Sequence, residues 1–130
     1  MAHSILVVDD STMVRRYVRQ ALEALGYEVR EAANGQAALK SVAEQRPALV
    51  ISDVNMAPMN GFDLVRELRT QLSRTDLPIL MLTTEADDEM KARGKQLGAS
   101  GWLVKPFDPV RMGAVVQHLL NARSDAKGTR

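Results

Sequence analysis

Apolar residues follow two patterns along this chain, short continuous runs and longer segments with helical spacing. Wholly apolar runs occupy residues 5–8, 48–51 and 79–82, and more mixed runs occupy residues 27–32 and 101–104. Apolar runs of this length, bounded by polar residues, are typical of strands buried on both faces of a parallel sheet. Longer segments with apolar residues at helical spacing lie between them. The pattern predicts an α/β fold in which five strands alternate with five helices.

Four of the predicted helices have a clear apolar stripe. The positions expected to face the core are Val14, Val18, Ala21, Leu22 and Leu25 in the first helix, Ala38, Leu39 and Val42 in the second (residues 35–46), Leu64, Val65, Leu68 and Leu72 in the third, and Met112, Val115, Val116, Leu119 and Leu120 in the fifth. The fourth helix, about residues 87–97, is poorly amphipathic and contains Gly94. An interior glycine costs a helix roughly 1 kcal/mol relative to alanine, so we expect this to be the least stable helix.

Capping residues mark several helix ends. Ser11 or Thr12 is suited to begin the first helix, and Gly26 is suited to end it. Asn60 precedes the third helix, and the pair Asp108-Pro109 begins the fifth.

The composition of the strands favours one order in the sheet. The first, third and fourth strands are purely apolar and are expected at the centre. The second, which carries Glu28, Arg30 and Glu31, and the fifth are expected at the edges. The pattern therefore favours a doubly wound parallel sheet of order 2-1-3-4-5, a flavodoxin-like arrangement. Strands one and three then adjoin at the topological switch point, where such sheets bind ligands.

Charge and composition exclude several classes of protein. The 130 residues carry a formal net charge of +1 with both signs interspersed, which argues against a dedicated nucleic-acid surface. The absence of cysteine excludes disulfides and thiolate metal sites and is compatible with a cytoplasmic location. The first residues resemble neither a signal peptide nor a membrane span, so no membrane insertion is expected. We expect residues 1–121 to form one domain and residues 122–130 to form a flexible tail.

Polar residues follow the predicted strands at the edge where such a sheet binds its ligand. Asp9 and Asp10 follow the first strand, Asp53 ends the third, Thr83 ends the fourth and Lys105 follows the fifth. Three carboxylates within about 5 Å repel one another by roughly 3 kcal/mol per pair at an effective dielectric constant near 20, so they must hold a cation or a proton. A hard divalent ion such as Mg²⁺ fits this set. The arrangement suits phosphoryl transfer, with Asp53 attacking in line, Lys105 neutralising charge and Thr83 donating a hydrogen bond.

These residues resemble those of a known family. The pair Asp9-Asp10, followed by Asp53, Thr83 and the run Lys105-Pro106-Phe107, is similar to the receiver domain of bacterial two-component response regulators. The resemblance covers about residues 4–121 and is strongest to the stand-alone chemotaxis members. The resemblance implies the receiver fold and the same strand order. The strand order favoured above is therefore not independent of the resemblance.

The resemblance implies a role for each acid. Asp53 would be the phosphoacceptor, and Mg²⁺, or Mn²⁺ in its place, would be held by Asp10, Asp53 and the backbone carbonyl of Asn55. Asp9 would act mainly through metal-bound water.

The resemblance also implies how the signal leaves the site. Lys105 would bind a phosphoryl oxygen, and Thr83 would shift to meet it. Trp102, where tyrosine or phenylalanine is more usual, matches the aromatic position that swings between outward and inward rotamers. The chain also departs from the usual pattern at Ala57-Pro58 and at Thr84.

The implied partners follow from this chemistry. The chain would be a switch that catalyses its own phosphorylation and dephosphorylation, rather than an enzyme acting on other substrates. The phosphoryl group would come from a histidine kinase or a histidine phosphotransfer protein. The output face would comprise the fourth helix, the fifth strand and the fifth helix, and a flagellar motor switch protein is one implied target.

Other functions stay open at this point. The chain could be a relay or phosphate sink that exchanges with a histidine phosphotransfer protein. A flavodoxin-like flavin carrier would need a phosphate-binding loop after the first strand, where the two aspartates would repel phosphate. An aspartyl phosphatase would usually need a second acid two residues after Asp53, where this chain has Asn55.

Individual residues also have simpler interpretations. Asp9 and Asp10 are suited to cap the first helix, because acids are favourable at helix N-termini. Arg15, Arg16 and Arg19 form a basic face on that helix. We expect this face to be solvated, with docking of an acidic partner as the alternative.

Overall fold

A computed structural model describes residues 3–71, 77–84 and 87–128, and it confirms the predicted alternation of strands and helices. The elements in chain order are β1 (Ser4–Val8), α1 (Thr12–Glu23), β2 (Glu28–Ala32), α2 (Gly35–Glu44), β3 (Leu49–Asp53), α3 (Gly61–Gln71), β4 (Ile79–Thr83), α4 (Asp88–Leu97), β5 (Gly101–Val104) and α5 (Pro109–Gly128). The predicted core position Leu72 lies outside the described residues. Among the helices of the described segments, none is long and apolar enough to cross a membrane.

All five strands are parallel and lie in the order β2-β1-β3-β4-β5, which confirms the predicted topology. Every residue of the adjacent central strands β3 and β4 is buried, as expected for strands covered on both faces. In β2, buried and accessible residues are mixed, which suits an edge strand. The register aligns the carboxyl ends of neighbouring strands, with Val8 opposite Ser52 and Thr83 opposite Val104.

Side chains from successive strand residues divide the core into two apolar clusters. On one face, Leu6 and Val8 of β1 pack with α2, α3 and residues of α4. On the other face, Ile5 and Val7 pack with α1 and α5. Fully burying one aliphatic side chain stabilises a fold by about 1.5–3 kcal/mol. The two clusters therefore hold the sheet rigidly between its helices and fix the strand ends that carry the site.

The predicted helix caps are confirmed. The side chains of Ser11, Asn60 and Asp108 each accept a hydrogen bond from the backbone N–H three residues later, at 3.3, 2.9 and 2.7 Å. Gly26 has a φ of +95°, and the N–H of Tyr27 donates to the carbonyl of Leu22 at 3.2 Å. This is a Schellman end, which favours glycine at the left-handed position.

Two expectations need correction. Leu25 is 57% exposed, because α1 has already ended and the residue lies in the turn. Helix α2 ends at Glu44 rather than at residue 46, ahead of Pro47, whose ring disfavours helical geometry in the residue before it. Helix α5 extends to Gly128. The flexibility of residues 122–130 stays a prediction, and residues 129–130 lie outside the described part of the chain.

Candidate functional site

The three acids predicted to meet do so at the carboxyl ends of β1 and β3. Each of Asp9, Asp10 and Asp53 offers a carboxylate oxygen, and these oxygens lie within 4.8 Å of one another. Asp9 and Asp53 are buried, at 1% and 5% exposure, whereas Asp10 is exposed. The cluster forms because β1 and β3 are neighbours in register, so residues far apart in sequence end at the same edge of the sheet.

Lys105 joins two of these acids. Its Nζ donates to Asp9 Oδ2 at 3.1 Å and to Asp53 Oδ1 at 3.2 Å. The lysine directly follows β5, and its backbone N–H donates to the carbonyl of Thr83 at 2.7 Å. The end of β4 thereby fixes where the lysine side chain begins. The ammonium group acts as a counter-ion for the cluster.

The surroundings shift the protonation of both partners. Burial raises the pKa of Asp53, and the nearby Asp9 carboxylate raises it further, although Lys105 and the backbone N–H of Asn55 oppose the change. Burial lowers the pKa of Lys105, but its ion pairs with Asp9 and Asp53 outweigh this and leave the pKa raised. The two directions are consistent, because Lys105 pairs with two acids, whereas Asp53 is buried beside like charge and pairs with one cation. Lys105 is therefore charged at neutral pH.

The loop that carries Asp9 and Asp10 is held by several hydrogen bonds. Asp9 Oδ1 accepts from the backbone N–H of Ser11 at 2.9 Å, and the N–H of Asp9 donates to the carbonyl of Ala32 at 3.2 Å. The guanidinium of Arg15 donates to the carbonyl of Asp9. Asp9 is thus bonded through its carboxylate, its N–H and its carbonyl, and so has little freedom.

The remaining predicted residues surround the acids. Thr83 is fully buried at the end of β4, and Asn55 is exposed two residues after Asp53. An open cavity of about 580 Å³ adjoins the cluster, and Asp10 and Asn55 line it together with Phe62 of α3 and Arg93 of α4. The structure therefore places Asn55 beside the acids.

Trp102 lies on β5 and packs toward α3 and α4. Its ring centroid is 6.0 Å from that of Phe62. A Cβ atom built on Gly94 would lie 2.5 Å from Cζ2 of the indole, so the ring rests directly on the glycine. The Trp102 side chain is partly buried. The predicted rotamer swing stays a prediction.

The donor set fits a hard divalent cation. The cluster consists of carboxylates alone, without sulfur or imidazole ligands, which is the chemistry that Mg²⁺ and Mn²⁺ prefer. The exposed Asp10 leaves one side of the cluster open to solvent. The buried Asp9 and Asp53 supply charge that a single lysine only partly neutralises.

The prediction of a solvated basic face on α1 was wrong for Arg15, whereas the side chain of Arg19 is 43% exposed. Arg15 is only 14% exposed and pairs with Glu31 at 2.9 Å. Arg19 also pairs with Glu31, at 2.8 Å, and with Glu23 at 3.0 Å, while Arg16 is exposed as expected. The sequence feature that could have indicated these ion pairs is Glu31, an acid on an edge strand next to α1.

This chain is similar to proteins of one family. Residues 5–117 match the response regulator receiver domain. Chemotaxis protein CheY4 of Vibrio cholerae is 44% identical, with a TM-score of 0.88 and coverage of 92% of this chain and 99% of that one. NtrX from Brucella abortus is 29% identical with a TM-score of 0.89, and the match covers 98% of this chain but 29% of that one.

Relatives compared by sequence include longer regulators. The probable transcriptional regulator ycf27 of Cyanophora paradoxa is 40% identical over 116 residues, which is 89% of this chain and 47% of that protein. The phosphate regulon transcriptional regulatory protein PhoB of Pseudomonas aeruginosa is 34% identical over 117 residues, 90% of this chain and 51% of that protein. The chain therefore spans about half the length of these curated relatives. Since the family match covers most of the chain and its defining acids converge at one site, this protein belongs to the response regulator receiver domain family.

Proposed function

We propose that Asp53 accepts a phosphoryl group from a phosphohistidine of a histidine kinase or of a histidine phosphotransfer protein. The observation that carries the proposal is the bridging of Asp9 and Asp53 by Lys105, within a cluster of three carboxylates. An Asp53 oxygen attacks phosphorus, the P–N bond breaks, and the histidine leaves with its electron pair. Attack of water on the aspartyl phosphate then releases phosphate and restores the carboxylate.

The surrounding residues divide the work of charge neutralisation. Asp10, Asp53 and the backbone carbonyl of Asn55 would hold Mg²⁺, or Mn²⁺ in its place, with Asp9 acting through water. When bound, the ion supplies positive charge opposite the developing charge on the phosphoryl oxygens.

Two residues from the ends of β4 and β5 meet the phosphoryl group itself. Lys105 pairs with a phosphoryl oxygen, and it is already tethered at the site by Asp9. Thr83 donates a hydrogen bond to another oxygen, and Trp102 follows its movement. Both steps place positive charge or a donor where the transferred group carries its negative charge.

We propose that this protein acts in the cytoplasm and that its output controls motility. The support is the similarity to CheY4 of Vibrio cholerae, which this chain matches over nearly the whole of both proteins. The contact surface would be α4, β5 and α5, where Val104 of β5 is 46% exposed. A flagellar motor switch protein is the proposed target.

Mass spectrometry of the intact protein tests the phosphoacceptor. After incubation with acetyl phosphate and Mg²⁺, the native chain should gain a single phosphoryl group, and Asp53→Asn should gain none. Asp108→Asn is a matched control, because asparagine caps a helix as well as aspartate does and Asp108 lies outside the acid cluster. Equal labelling of native protein and Asp53→Asn would contradict the proposal.

Fluorescence of the single tryptophan tests the switch. Beryllofluoride, a phosphoryl mimic, should change Trp102 emission in the native chain when Mg²⁺ is present, and it should leave Asp53→Asn unchanged. Titration of a purified flagellar motor switch protein into both states then tests the output. Tighter binding to the beryllofluoride state would support the motility role. Equal binding would contradict it without affecting the phosphoacceptor assignment.

A further inference from the structure

Arg15 connects the acidic loop to two other parts of the molecule. Its Nη1 donates to the carbonyl of Asp9, its Nε donates to Glu31 at 2.9 Å, and its Nη2 donates to Thr12 Oγ1 at 3.2 Å. The Arg15 side chain is 14% exposed, and its bond to the Asp9 carbonyl is partly buried. A planar guanidinium with donors in a fixed fork is well suited to hold three groups in one geometry.

The bond to the Asp9 carbonyl matters for the residue that follows. The carbonyl of Asp9 and the N–H of Asp10 belong to the same rigid peptide plane. Within the described part of the chain, no hydrogen bond or ion pair restrains the Asp10 carboxylate, and this residue is exposed. The orientation of the peptide plane therefore decides where the Asp10 side chain begins.

We propose that Arg15 is a positioning residue that holds the Asp9–Asp10 peptide so that Asp10 faces the acid cluster, and thereby raises the affinity for a divalent cation. This inference rests on the proposed function, in which Asp10 is a metal ligand. A ligand held in place before binding loses less conformational freedom when the ion arrives. Arg15 does not touch the ion and acts only through the backbone.

An argument from charge alone predicts the opposite effect. The direction of the change in metal affinity therefore tests the proposal. Arg15 is a cation near a site for a dication, so removing its charge should strengthen metal binding. Loss of the hydrogen bond to the Asp9 carbonyl should weaken it. Arg19 is a matched control, because it also pairs with Glu31 and, within the described residues, its side chain bonds to Glu23 and Glu31 rather than to the acidic loop.

Calorimetric titration with Mg²⁺, and electron paramagnetic resonance of free Mn²⁺, measure the dissociation constant directly. We expect Arg15→Gln to bind about tenfold more weakly than the native chain, which is the lower end of the loss seen when an outer partner of a metal ligand is removed. Arg19→Gln should bind as tightly as the native chain or slightly more tightly. Arg15→Lys keeps the charge but cannot reproduce the fork, so it should also bind more weakly than the native chain.

The outcomes separate this inference from the proposed function. Equal dissociation constants for Arg15→Gln and Arg19→Gln, or tighter binding by Arg15→Gln, would overturn the role of Arg15. If Arg15→Gln does not fold, Arg15→Lys decides, and native affinity in that variant would also overturn it. The proposed function fails first if the native chain binds no Mg²⁺, or if Asp10→Asn binds Mg²⁺ as the native chain does. A binding stoichiometry near one in each variant shows that the site is folded.

Discussion

Replacing Gly94 with alanine sets two opposing effects against each other in one residue. Gly94 lies inside α4, where alanine is favoured over glycine by roughly 1 kcal/mol in helix propensity. A Cβ at this position would lie 2.5 Å from Cζ2 of Trp102 and 3.2 Å from Cε2. The first distance is far below van der Waals contact, so either the indole or the helix must move.

The contact with the indole should decide the sign. Overpacking of a well-packed core costs typically 1–3 kcal/mol. If that cost is about 2 kcal/mol here, Gly94→Ala should lower the free energy of unfolding by about 1 kcal/mol in spite of the better propensity. In a Trp102→Ala background the contact is absent, and the same change should raise stability by about 1 kcal/mol. The two residues should therefore show a coupling energy of about 2 kcal/mol.

Urea unfolding followed by far-ultraviolet circular dichroism measures all four chains, including those without tryptophan. Ala92→Gly, at an exposed position of the same helix, calibrates the propensity difference and should cost about 1 kcal/mol. In the native background, Gly94→Ala should also shift Trp102 emission toward that of a solvated indole. A gain of stability on Gly94→Ala in the native background would refute the reasoning, because it would mean that the ring does not constrain this position.

Three further changes test other parts of the fold. Hydrogen bonds from Arg19 and then Arg15 hold the pKa of Glu31 below its ordinary value of 4.5 against the effect of burial, so its stabilisation is present above that value and is lost as pH falls through the lowered pKa. Glu31→Gln should therefore be less stable than the native chain by under about 1 kcal/mol at pH 7 and equally stable in acid, and a difference that persists in acid would contradict this. Burial and then Asp9 raise the pKa of Asp53 above 3.8, so the native chain loses stability as pH rises through that raised pKa. With chelator present, Asp53→Asn should melt at a higher temperature than the native chain at pH 7, and an unchanged or lower melting temperature would count against it. Leu68→Ala removes a fully buried side chain and should cost about 2–5 kcal/mol in urea unfolding, whereas a loss under 1 kcal/mol would contradict its central position.

The strand order and the meeting of the acids could be predicted because both follow from patterns along the chain. Apolar runs without a polar residue identify central strands, and a carboxylate at the end of a central strand must lie at the ligand edge of the sheet. Asp53 satisfies both conditions from sequence alone. Helix ends such as Ser11 and Gly26 were also predictable, because capping depends on a few adjacent residues.

Contacts between elements could not be predicted in the same way. Arg15 looks like one of three surface arginines until the edge strand β2 brings Glu31 beside α1. Gly94 looks like a defect in a weak helix until β5 places Trp102 against it. In both positions the residue type suits a partner that is distant in sequence, and no local periodicity records that partner. These are therefore the positions where tertiary packing overrides helix propensity or surface exposure.

The acid cluster combines a high local negative charge with burial, which a fully solvated site would not. With all groups ionised, three carboxylates and the ammonium of Lys105 leave a net charge of −2 at one edge of the sheet. Two unit charges about 5 Å apart repel by roughly 3 kcal/mol at an effective dielectric constant near 20, and burial of Asp9 and Asp53 limits what water can do to relieve this. A doubly charged cation restores neutrality without displacing Lys105 from the site. The lysine is then available to meet the negative charge that a phosphoryl group would add. Under the proposed function, the burial that makes the acids unfavourable when alone would therefore favour binding of a cation first and of an anionic group second.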